Sequence, residues 1–134
     1  MPVTLLNPDG MMKPELYHQV SISTGSRQVH IAGQVAYDAE GKLVARGDLA
    51  GQVAQSLRNV GLALAAAGAS FSDVVRLRFY VVGWKPEQLP QFGAGVQQVA
   101  RELKFVPAPA SLIGVSVLFE PDILVEVEAT AVLP

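Results

Sequence analysis

The 134-residue chain has no cysteine. Disulfides, thiol nucleophiles and thiolate metal sites are therefore excluded. Histidine is nearly as scarce. His18 and His30 are the only two, and neither has neighbours at a zinc-signature spacing. No metal and no cofactor is expected. No glycine-rich phosphate loop opens a helix, and no nucleophile-elbow motif is present. A Ser-His-Asp triad assembles in space, so chain order alone does not exclude one. No apolar run reaches the roughly eighteen residues of a membrane span. The first residues do not read as a signal peptide, so a cytoplasmic location is expected. Charge is also short, at 16% of residues against about 25% in an ordinary soluble domain. A chain this small exposes much of its surface, so the shortage points to surface buried against other subunits. The net charge of −2 offers no basic track for phosphates, and no nucleic-acid partner is expected.

What remains is one domain's length of chain, half of it hydrophobic, with room for a real core. Met1 to Lys13 lacks periodicity and reads as an irregular lead-in. Tyr17–Ser23 alternates, with His18, Val20 and Ile22 on one side. Thr24-Gly25-Ser26 is a turn signal, and Gln28–Val35 is a second strand, so these runs are expected to pair as a hairpin. Lys42–Ala45 is a candidate short strand. Asp48 is a fair N-cap for a helix whose stripe is Leu49, Val53, Leu57, Val60 and Leu64. Gly68 ends it. Gln52 and Asn59 on this helix read as solvent-facing. Asp73–Val82 is a strand with Val75, Leu77, Phe79 and Val81 on one face and Arg76, Arg78 and Tyr80 on the other. The two arginines are either a solvated face or the lining of a subunit cleft. A second helix is expected from about Glu87 to Lys104, with Phe92, Val96, Val99 and Leu103 inward; Pro86 and Pro90 fit only at its start.

Two β-rich runs close the chain, Ser111–Phe119 and Ile123–Val132, broken at Glu120-Pro121-Asp122. They are expected to form a hairpin. Ile123, Val125, Val127, Ala129 and Ala131 share a core face. Glu126 and Glu128 lie on the other, between apolar neighbours. They are either a solvated edge pair or a partly desolvated acid/base site, since desolvation raises a carboxyl pKa. In such a hairpin Glu126 faces about Ser116. Ser111 then lies roughly 17 Å further on at ~3.4 Å per residue, and a site using both would need two subunits. His18 is expected half-buried in its strand. The order strand, helix, strand, helix, strand predicts a two-layer α+β sandwich.

Pro109-Ala110-Ser111, followed by Val125-Glu126-Val127-Glu128, resembles the end of the Rid (YjgF) family of reactive-intermediate and imine deaminases. Members typically read Pro-Ala-Arg-Ser/Thr, then a strand, then Val-Glu-Ile-Glu. Ala32-Gly33-Gln34 resembles the family's Ser-Gly-Gln, with alanine in the serine position. The resemblance runs from about Tyr17 to Ala131. It implies a single Rid-like domain over residues 1–134, with a chorismate-mutase-like fold in which a mixed sheet carries two helices on one face. It also implies a homotrimer with small-molecule sites between subunits. Glu126 matches the glutamate that positions the attacking water, and Gly33 the glycine whose backbone lies against the ligand. From the residues alone, Gly33 reads as a simple strand-end bulge before it reads as a ligand contact. Ser111 stands where the deaminases keep the arginine that holds the substrate carboxylate. Tyr17, Ser111 and Trp84 are candidate pocket residues, though a lone tryptophan is more often a packing residue. Arg76 and Arg78 are candidate substitutes for the missing cation. Some relatives are labelled ribonucleases, a label this composition does not support.

Overall fold

In the computed structural model, which describes residues 3–134, Asp48 caps helix α1 (Leu49–Ala66) by accepting a hydrogen bond from the Gly51 N–H at 3.0 Å. The stripe Leu49, Val53, Leu57, Val60 and Leu64 is buried along its whole length. The helix closes with Gly68 and Ala69 donating back to Ala65 and Leu64, which satisfies carbonyls the last turn leaves free. Helix α2 (Leu89–Leu103) follows a 3-10 turn at Pro86–Gln88 and buries Phe92, Val96 and Val99. The two helices pack against each other. A Cβ on Gly95 would come within 2.5 Å of the Ala50 carbonyl oxygen, so this approach needs a residue without a side chain.

Two sheets form. Strands β1 (Val3–Leu6) and β2 (Val20–Ser23) make an antiparallel pair. The larger sheet has strands β3 (Arg27–Gln34), β4 (Val74–Val82), β5 (Ala110–Val115) and β6 (Val125–Leu133), in the order β3-β6-β4-β5. β6 is antiparallel to both neighbours, and β5 runs parallel to β4. The inward residues of β4 and β6, among them Leu77, Phe79, Val81, Val125, Val127, Ala129 and Ala131, join the helix stripes in one core. The chain is therefore the expected two-layer α+β fold, a mixed sheet with two helices on one face.

The strands differ from expectation in four places. The terminal runs do not form a hairpin. β5 pairs with β4, and β4 separates it from β6. A strand–helix–strand crossover naturally delivers parallel neighbours, and the connection over residues 116–124 is too long for a tight turn. Tyr17–Ser23 does not pair with β3. β2 takes β1 from the lead-in, whose four residues are too few to show a period. At the start of β4 a register shift between Val74 and Arg76 puts Val74 rather than Val75 in the core. The Lys42–Ala45 strand reduces to one bridge between Tyr37 and Leu43.

Candidate functional site

The face of the large sheet away from the helices carries Arg76, Arg78 and Tyr80 from β4. Glu126 pairs with Tyr80, Glu128 with Arg78, and Ser111 with Arg78 from the other side. Because side chains alternate along a strand, all six share one face. Glu126 and Ser111 are two strand spacings and two residues apart, roughly 12 Å between Cα atoms. The 17 Å separation inferred from a hairpin does not apply, and both residues belong to one surface of one protomer.

The two glutamates differ. Tyr80 donates its phenolic hydrogen to Glu128 Oε1 at 2.5 Å, and this bond raises the Tyr80 pKa above its usual 10. Glu126 has no side-chain hydrogen bond among the described residues. Partial burial raises its pKa above the ordinary value, and the neighbouring charge of Glu128 adds to the effect. A carboxyl raised in this way is better suited to take and return a proton near neutral pH.

Gly33 sits directly over Glu126. A Cβ there would lie 2.1 Å from Glu126 Oε2 and 2.5 Å from Cδ. The β3–β6 register shifts between Ile31 and Gln34, a bulge that brings the backbone onto the carboxylate. The strand-end bulge and the close backbone approach are thus one feature.

Helix α1 holds the flanks of this arrangement. Gln52 is fully buried. Its Nε2 donates to the Asp122 carbonyl at 3.0 Å, and its Oε1 accepts from the Leu124 N–H at 2.9 Å, fixing the chain just before Glu126. Asn59 Nδ2 donates to the carbonyls of Val35 and Tyr37 at 2.9 and 3.0 Å, fixing the chain just after Gly33. Neither residue is solvent-facing as the sequence suggested. The signal was available for Gln52, which falls three residues after Leu49 and beside Val53, on the apolar stripe itself. Across the loops, Tyr37 donates to Glu120 and Arg46 pairs with Asp122 at 2.7 Å.

The remaining candidates divide. Ser111 accepts a hydrogen bond from Arg76 Nη2 at 2.5 Å. Arg78 is exposed. Tyr17 and Ser111 both line a cavity with Phe79, Phe92 and Leu112. Trp84 packs its ring edge-on to Phe92 of α2, with centroids 6.1 Å apart. It lies on the helix side of the sheet, away from Glu126. His18 Nδ1 is 2.6 Å from the Pro107 carbonyl oxygen and ties the segment before β2 to the approach of β5.

The family described as endoribonuclease L-PSP matches residues 13–133. A Rid-family protein of unknown function from Yersinia pestis, YyfB, superposes with a TM-score of 0.87 at 40% identity, covering 99% of this chain and 100% of that one. The chain belongs to the Rid (YjgF) family. A RutC family protein of Pyrococcus horikoshii is 31% identical over 101 residues, 75% of each chain. Escherichia coli TdcF, solved with bound serine, shares the fold at 24% identity and a TM-score of 0.69, covering 97% of this chain and 94% of that one. Within this Rid-family chain the Gly33 bulge and the Glu126 strand meet, and a serine occupies position 111.

Proposed function

We propose that the protein is a Rid-family homotrimer, one such domain per chain, that binds a small metabolite in clefts between subunits. There it hydrolyses enamines or imines with altered or reduced efficiency. The carrying observation is Glu126: a partly desolvated carboxyl with no side-chain hydrogen bond among the described residues, covered by the Gly33 backbone. Glu126 orients water toward an imine carbon, taking a proton from it as the bond to carbon forms. The C=N electron pair moves to nitrogen, which takes the proton back from Glu126 to give a carbinolamine; its hydroxyl proton then passes through Glu126 to the nitrogen as the C–N bond breaks, releasing ammonia and leaving a carbonyl. Gly33 offers backbone contacts, and Tyr17 and Ser111 shape the ligand's surroundings. The serine bound in TdcF fits the same ligand scale, a small amino acid. The subunit cleft is supported by a sheet face that the helices leave open, with Ile113 40% exposed on it, and by the low charge content. Both signs of charge lie on that face, so it offers no continuous phosphate track for RNA.

A second reading, a trimer that binds a ligand or partner without catalysis, is favoured by Ser111. Arginine holds a carboxylate through two charge-assisted bonds, and one serine hydroxyl offers a single neutral one. Ammonia release from freshly generated 2-iminopropionate separates the two. Hydrolysis above the buffer rate, abolished in E126Q, supports the first reading. Ligand-induced thermal stabilisation without turnover supports the second.

A further inference from the structure

Tyr80 and Glu128 stand beside Glu126 on the open sheet face, take no part in the proposed reaction, and are bonded to each other. Glu128 follows Glu126 by two residues on β6, so the two carboxyls project from one side of the strand, roughly 7 Å apart at the Cα atoms at ~3.4 Å per residue. Tyr80 is the cross-strand partner of Glu126, yet its hydroxyl reaches along the strand to Glu128 Oε1 at 2.5 Å. The tyrosine side chain thus runs diagonally from one carboxyl to the other. All three residues are half-buried, where like charges repel more strongly than in water. Two carboxyls left free at this spacing would titrate as a pair and trade one proton between them. A bond to only one of them removes that equivalence.

The other charged groups of the face are engaged elsewhere or stand in solvent. Arg78, the cross-strand partner of Glu128, is exposed and forms no ion pair among the described residues. Arg76 lies two residues further along β4 and donates to Ser111 of β5. On β3, Gly33 covers Glu126. His30 of the same strand, opposite Thr130, is exposed and meets Gln28 at 3.1 Å.

Resting on the reading of Glu126 as the base, we propose that Tyr80 and Glu128 are positioning residues for it: Tyr80 pins Glu128 as a fixed neighbouring charge, and Glu126 is left as the one carboxyl of the pair free to reach water and take its proton. The pinned charge acts through space, in the same direction as the partial burial of Glu126, and strengthens it as a base. Without the Tyr80 hydroxyl, Glu128 turns away from the like charge into water and its influence weakens. Without the Glu128 charge, the Tyr80 hydroxyl has nothing to hold.

The acid limb of kcat/KM for 2-iminopropionate tests this, because it reports the ionisation of the base in the free enzyme. E128Q should move the limb to lower pH, and Y80F should move it the same way by less. Y80F/E128Q should match E128Q, since Tyr80 acts only through Glu128. All three should keep turnover within about tenfold of wild type, against the roughly 100-fold or greater loss expected when E126Q removes the base itself. Carbon-detected NMR titration of the Glu126 carboxyl should show the same displacements with no substrate present. An unmoved or raised limb in E128Q, a further displacement in the double variant, or losses as deep as that of E126Q overturn the proposal. So does a lowered melting temperature with the limb unmoved, the mark of a purely structural pair. Absence of hydrolysis in wild type overturns the base reading and this device with it, and the NMR displacements then tell that failure from a failure of the Tyr80–Glu128 coupling.

Discussion

Gly33 and Glu126 can be understood only together. The carboxylate occupies the space that any Cβ at position 33 would claim. Because the group displaced by Gly33→Ala is the far end of a flexible side chain, stability should change little, within about 1 kcal/mol. The carboxylate must move, however, and imine hydrolysis should fall tenfold or more, since misplacement by about 1 Å costs up to 100-fold. Stopped-flow turnover beside a thermal melt checks both halves. Glu126 also sets a pH dependence. Its raised pKa means that the folded chain holds the proton to higher pH than the unfolded chain. This contribution is favourable at low pH, and stability falls as pH rises from the ordinary glutamate value of 4.5 through the raised one. E126Q should flatten that fall in urea titrations from pH 4 to 8 and be at least as stable as wild type at pH 7. At this scale the sequence exposed the unusual residues, Gly33 within a strand and two glutamates on one strand face. The strand pattern by itself did not distinguish the glutamates, and only the resemblance singled out Glu126, because the Tyr80 hydroxyl that engages Glu128 comes from a strand 48 residues away.

At the scale of elements, both helices and the core faces of β4 and β6 were legible because the 3.6 and 2.0 periods are local. Strand partners were not. Both expected hairpins assumed that consecutive strands pair, whereas a helix between β4 and β5 makes those two parallel neighbours and leaves β6 between β3 and β4. Helix α1 does more than cover the sheet. Its Gln52 and Asn59 hold the chain on both sides of the Gly33–Glu126 contact. Gln52→Ala leaves the Asp122 carbonyl and the Leu124 N–H, both part-buried, without their partner, at about 1–3 kcal/mol in all. The expected result is a lower urea midpoint with an unchanged slope, together with lost turnover. Gln52→Glu should not rescue it, because a carboxylate cannot donate to Asp122. A melting temperature equal to wild type in both variants would remove the positioning role of Gln52.

Across the whole molecule, the helices bury one face of the sheet and leave the other open. That open face carries Arg76, Arg78, Tyr80, Ser111, Glu126 and Glu128, with Ile113 beside them. Placing a charge at its apolar point, Ile113→Glu, should weaken assembly and reduce turnover together if the face lies between subunits. Loss of turnover with assembly intact would separate the two. The measurement that bears most directly on the account is the solution mass of the wild-type chain by sedimentation equilibrium across a range of concentrations. Three copies per particle, stable on dilution, is the predicted result. A single copy at every concentration would contradict it, because Glu126 and Gly33 would then face bulk water with no neighbour to complete the site.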